Sequence, residues 1–181
     1  NNQISLLDLS NNDNLFELDC SNNQLTSLLL PINQAVHSIN CSDNLLSTLD
    51  VSALNPNPLI YGSNLDCSYN NLDTLIFSAN TNFLSLKCNN NNLTSLDMSE
   101  HHRLGSIDCS NNQIASLEFS EQCTSLWFLH SVDCSNNPLT YLKIQAVNVN
   151  SGGWCYTSIS SINAGCNPLL NCVLVDNDSW S

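Results

Sequence analysis

Positive charge is nearly absent from this chain. Its 181 residues carry 3 Lys plus Arg against 16 Asp plus Glu, a formal net charge of −13. A surface so acidic repels nucleic acid and anionic lipid, so neither is expected as a partner. Charge of either sign is scarce, at 10% of residues, and Asn and Ser carry most of the solvation instead. No apolar run approaches the ~20 residues of a membrane-spanning helix, so no membrane insertion is expected. The chain has no Gly-rich phosphate loop and no nucleophile elbow. It opens on Asn1, with neither Met nor a signal peptide, which reads as a processed chain or a fragment.

Cysteine, by contrast, is plentiful. Ten cysteines would ordinarily signal an oxidising compartment and a disulfide framework. Most of them belong to a repeat. Leu15 to Leu28 reads L-x-x-L-x-C-x-x-N-x-L-x-x-L. Anchored on the central small residue, the copies stand at Cys20, Cys41, Cys67, Cys88, Cys109, Cys134 and Ala164, spaced 21, 26, 21, 21, 25 and 30 residues apart. Three residues after each anchor comes Asn23, Asn44, Asn70, Asn91, Asn112, Asn137 or Asn167. Two before it is an aliphatic residue, from Leu18 to Ile162. Five after it the column runs from Leu25 to Leu169, and eight after it from Leu28 to Leu142 and then Cys172. So regular a period is the signature of a stacked architecture.

The physical reading is a repeat solenoid with short parallel strands. It has seven full coils plus an N-terminal half coil, little or no α-helix, and a single domain over 1–181. Apolar and polar residues alternate around each anchor, so Leu18 and Cys20 point in while Glu17, Asp19 and Ser21 point out. One coil cannot bury enough to stand alone, and stacking must supply the rest. The Asn column suits the turn after each strand. There an amide can both donate to and accept from backbone groups that lack ladder partners.

These motifs resemble the leucine-rich repeat, whose consensus L-x-x-L-x-C-x-x-N-x-L is matched from Leu15 to Leu25. The short period and the phrase Leu-Asp-Cys-Ser-Asn-Asn-Gln-Leu-Thr-Ser-Leu are similar to the repeats of bacterial surface proteins. The resemblance implies a binding or scaffolding module with a concave strand face, located outside the cell or at its surface. It transfers no particular ligand.

Three longer connections interrupt the period, near 55–62, 120–129 and 145–158. The last two carry Trp127, Phe128, Trp154 and Tyr156, which form either a candidate binding patch or a satellite core. The anchor cysteines Cys20, Cys41, Cys67, Cys88, Cys109 and Cys134 read as small buried hydrophobes with parallel side chains, hence free thiols. Cys172, in a Leu column, reads the same way. Cys123 with Cys155 is the candidate disulfide, and Cys155 with Cys166 is the rival pairing. Asn40, Asn92 and Asn177 head glycosylation sequons.

No cofactor and no enzymatic site is expected. His37, His101, His102 and His130 fit no catalytic pattern, and Glu100-His101-His102 reads as plain surface rather than a metal site. An outward column of Asp19, Asp66, Asp108 and Asp133 is either a site for Ca²⁺ or a glycan, or a solvated face. The ends lack a polar cap. Ile4, Leu7 and Leu9 already fill apolar columns, Leu174 fills the last one, and Trp180 stands where a new coil would begin. Open ends suggest head-to-tail self-association into a filament, or else a trimmed piece of a longer protein. The favoured expectation is a non-enzymatic structural protein assembling through its ends. The alternative is an adhesin or ligand-binding module whose partner is another protein or a glycan.

Overall fold

The structure is a computed structural model describing residues 2–32, 36–54, 63–77, 83–98, 101, 104–119, 129–145 and 160–176. Its strands, in chain order, begin with β1 (Leu6–Asp8), β2 (Glu17–Asp19), β3 (Ser27–Leu29), β4 (Ser38–Asn40), β5 (Thr48–Asp50), β6 (Asn64–Asp66) and β7 (Thr74–Ile76). They continue with β8 (Ser85–Lys87), β9 (Ser106–Asp108), β10 (Ser116–Phe119), β11 (Ser131–Asp133), β12 (Tyr141–Gln145), β13 (Ser161–Asn163) and β14 (Cys172–Asp176). No helix occurs among the described residues.

One strand from each of seven coils forms a parallel sheet in the order β13-β11-β9-β8-β6-β4-β2. Its register aligns the repeat columns: Leu18 faces Ile39, Ile39 faces Leu65, and Leu86 faces Ile107. The second layer is parallel too but comes in three pieces, β1-β3, β5-β7 and β10-β12-β14. The core lies between the two layers. Leu25, Leu46, Leu72, Leu93, Ile114 and Leu139 are each 0% exposed, one per coil.

Five of the anchor strands end after three residues where the sequence Asp/Asn-Cys-Ser turns the chain. Asp19 Oδ1 accepts hydrogen bonds from the Ser21 amide (3.0 Å) and hydroxyl (2.7 Å). Asn40 with Ser42, Asp66 with Ser68, Asp108 with Ser110 and Asp133 with Ser135 repeat the arrangement, the hydroxyl bonds spanning 2.6–2.8 Å. The next residue takes the left-handed conformation, with φ between 52° and 56° at Asn22, Asp43, Tyr69, Asn90, Asn111, Asn136 and Cys166. Asn and Asp tolerate that region better than other non-glycine residues, which explains five of the seven.

The Asn column then ties each coil to the one before it. Asn91 Nδ2 donates to Cys88 O (3.0 Å) and Asn89 O (3.3 Å) in its own coil and to Cys67 O (3.1 Å) in the preceding one. Its Oδ1 accepts from the Leu72 amide at 2.9 Å. Asn44, Asn70, Asn112, Asn137 and Asn167 make the same set, and the Oδ1 of Asn23 reaches the Ile4 amide at 3.4 Å. Each interior amide therefore pairs backbone groups that are out of reach of water.

The last coil departs from the expected columns. Val173, not Cys172, lies opposite Leu142, and Val175 lies opposite Ile144. Cys172 consequently faces Tyr141 and is partly exposed rather than buried, and Leu174 is in register with Lys143. The cause is a turn at 168–169, in which the Leu170 amide donates to Asn167 O at 3.1 Å. Leu170 takes the inward place and Leu169 is 58% exposed. With two leucines in succession, equal spacing selects the wrong one.

Candidate interaction surfaces

The described residues hold no set of three His, Cys, Asp or Glu arranged to bind a metal. The six anchor cysteines are buried free thiols, and burial pushes the thiol pKa of Cys20 and Cys134 up to about 11. Burial raises Cys41, Cys67, Cys88 and Cys109 further, with neighbouring thiols or carboxylates adding to the shift. Such thiols stay protonated, which deprives them of nucleophilic and metal-binding character. Their column instead packs the core, and its carbonyls serve the Asn ladder. Cys67 also donates its S–H to Lys87 O at 3.3 Å.

Cys166 is a free, exposed thiol. Cys123, Cys155, Trp127, Phe128, Trp154, Tyr156, Asn177 and Trp180 lie outside the described residues. Of the other sequon asparagines, Asn40 is engaged by Ser42 within β4. Asn92 is exposed, and its Nδ2 donates to Asn71 O at 3.3 Å. His101 is a correction to the surface reading. It is buried, its ring edge-on to Phe77 with centroids 4.6 Å apart. Aromatic cover from Phe77 draws it in.

The outer face of the seven-stranded sheet is the broadest regular surface. Seven strands at ~4.8 Å spacing give it a length of roughly 29 Å. Along its centre runs Asp19, Asn40, Asp66, Lys87, Asp108, Asp133 and Asn163, with Glu17 and the serines of the neighbouring column beside them. Each Asp uses Oδ1 in the strand-end cap, which leaves Oδ2 for other partners. Lys87 reaches Asp66 Oδ2 at 3.6 Å, and Asn163 Nδ2 donates to Asp133 Oδ2 at 2.9 Å. Hydrogen bonds from Ser21 hold the Asp19 carboxyl below its ordinary range. For Asp133, burial raises the pKa, but hydrogen bonds from Ser135 and Asn163 together outweigh it and the net shift is downward. At the edge of this face, Phe16 is 50% exposed and stacks on His37, with centroids 5.2 Å apart and planes 8° from parallel.

The ends form a second surface. Ile4 is 39% exposed, Ile162 38% and Val173 48%, whereas their interior counterparts Leu46, Leu86 and Leu142 are 0% exposed. Leu7 and Leu9 are partly buried against the core. Sequence reasoning read the Asp column without its role. The missed signal was the Ser two residues after each Asp, the pattern of an Asx turn.

No protein-family profile and no curated protein sequence matches the chain. Solved structures do. A leucine-rich repeat protein from Bacteroides thetaiotaomicron is similar with a TM-score of 0.50 and 18% identity, over 71% of this chain and 20% of its own. The leucine-rich repeat domain of APL1 aligns at a TM-score of 0.43 and 19% identity, over 71% of this chain and 42% of its own. A functional domain of InlJ from Listeria monocytogenes, which includes a cysteine ladder, aligns at a TM-score of 0.42 and 25% identity, over 95% of this chain and 46% of its own. The chain thus spans a fifth of the Bacteroides protein and under half of the other two. Its repeat, its parallel coils and the likeness to the Bacteroides structure show that the chain has the leucine-rich-repeat fold.

Proposed function

We propose that this chain is a non-enzymatic interaction module, acting outside the cell or at its surface, that holds a basic protein partner on its strand face. The observation carrying this reading is the outward row of that face. Glu17, Asp19, Asp66, Asp108 and Asp133 stand there against the single cation Lys87, on a rigid seven-strand platform. Fixed carboxylates on a pre-ordered sheet attract and orient cationic groups without an ordering cost. The test exploits the sheet itself. Asn40 and Asn163 keep the strand-end bond through Oδ1 without charge, so Asp66→Asn, Asp108→Asn and Asp133→Asn together should preserve the fold. Calorimetric titration with hexalysine should show binding that weakens with salt and falls about tenfold or more in the triple variant. Unchanged affinity in that variant would overturn the reading.

A second reading, self-association through the ends, is favoured by the exposed Ile4, Ile162 and Val173. One feature weighs against it. The Leu170 amide, which an incoming Asn would engage, is already bonded to Asn167. Light scattering over a dilution series, with electron microscopy, tests it. Fibres that disappear with Ile4→Asp or Val173→Asp would establish end-to-end stacking, and a monomer at every concentration would eliminate it.

A further inference from the structure

We infer that Phe16, stacked on His37 with Glu17 beside it, is the subsite of the strand face that takes an arginine side chain of the basic partner. This deepens the strand-face reading and rests on it. Three observations converge on one corner of the sheet. Phe16 is half exposed although it is a large aromatic residue, and its ring is held parallel to that of His37 at 5.2 Å. The His37 backbone fixes the same pair, donating its amide to Phe16 O at 2.7 Å. Glu17, the next residue, starts β2 and is exposed, and no hydrogen bond or ion pair engages its side chain among the described residues.

A pre-stacked aromatic ring presents one π-face at little entropic cost, and an adjacent carboxylate supplies two acceptor oxygens. A guanidinium satisfies both together, lying flat on the ring while its planar fork pairs with the carboxylate. An ammonium is a compact, strongly hydrated charge and can use only the carboxylate well. Elsewhere on the face the outward positions beside the acidic row are mostly Ser, which offer hydroxyls but no ring. The face as a whole therefore reads charge, and this corner distinguishes arginine from lysine.

The experiment compares hexa-arginine with hexalysine on the wild-type chain and on Phe16→Ala, Phe16→Tyr and Glu17→Gln. Hexa-arginine should bind about threefold to tenfold tighter than hexalysine. Phe16→Ala should abolish that preference and Phe16→Tyr should keep it. Glu17→Gln should reduce it. In NMR spectra the Phe16 and His37 ring signals should shift with hexa-arginine and hardly move with hexalysine, a readout independent of any loss of stability in Phe16→Ala. Equal affinity for the two peptides, with both weakened by the triple Asp→Asn variant, would overturn the arginine subsite while leaving the strand-face reading intact. Binding of neither peptide would overturn both.

Discussion

The two layers of the solenoid are built from the same repeat, yet one is continuous and the other broken. Strands of the anchor layer pair without a gap from β2 to β13, whereas the second layer falls into three pieces. In the fourth coil Ser95–Asp97 form no strand, and only the bridge between Met98 and Phe119 continues that layer. The difference follows from where register is enforced. Every anchor strand except β8, which ends at Lys87, is followed at once by an Asx turn, and all seven by a left-handed residue and the Asn that bonds the preceding coil. The second strand instead leads into connections of unequal length. Irregularity accumulates after the second strand and is erased at the next Asn.

Core truncation is the largest perturbation with which to test this contrast. Leu86 in the anchor layer is 0% exposed, while Leu75 in the second layer is only partly buried. Leu86→Ala should cost about 4 kcal/mol and Leu75→Ala about 2 kcal/mol in denaturant melts. Equal costs would mean that the second layer is as tightly held as the first. The ladder comes next. Asn91→Ala strands the Leu72 amide and removes the donor shared by three carbonyls, so a loss of about 3 kcal/mol is expected. Hydrogen exchange on this variant should show lost protection at the Leu72 amide, whose acceptor is Asn91 Oδ1.

Much of this was legible in the sequence because the constraints are local and repeated. The Cys and Asn columns have one geometry per coil, so spacing alone locates them. The strand-end caps were equally written in Asp-Cys-Ser, but a carboxylate in an outward column reads first as surface charge. The slip at Leu169 and Leu170 was not legible. Either leucine satisfies the pattern, and only the backbone bond from Leu170 to Asn167 decides between them. Nor was the burial of His101, which depends on Phe77, more than twenty residues earlier in the chain. The recognisable face belongs to the layer whose register the sequence enforces. The arginine corner, in contrast, depends on a ring stack between coils that spacing does not reveal.

The caps also give the protein a pH signature. The folded-state pKa values of Asp19 and Asp133 lie below the ordinary carboxylate range. Their stabilisation is therefore fully present above the unfolded value of about 3.9 and is lost as pH falls through the folded values. Asp133→Asn keeps the Oδ1 bond to Ser135 but no longer titrates. Its stability should fall less steeply than wild type below about pH 4, the two curves converging toward strong acid. Parallel curves would show that Asp133 is not one of the groups that titrate on unfolding.

The smallest expected effect is a gain. Tyr69 holds φ 52° at a position where four other coils use Asn, and its side chain is 55% exposed. A left-handed conformation costs most non-glycine residues roughly 1–2 kcal/mol, and Asn less because its short amide bonds locally. Little burial is lost on replacing Tyr69, so relief of backbone strain should prevail. Tyr69→Asn should stabilise the chain by about 1 kcal/mol or slightly less, visible as a higher melting temperature. A loss of stability would mean that the exposed ring contributes packing across coils worth more than the strain. The turn after β6 would then be held by its side chain rather than, like the other turns, by backbone preference.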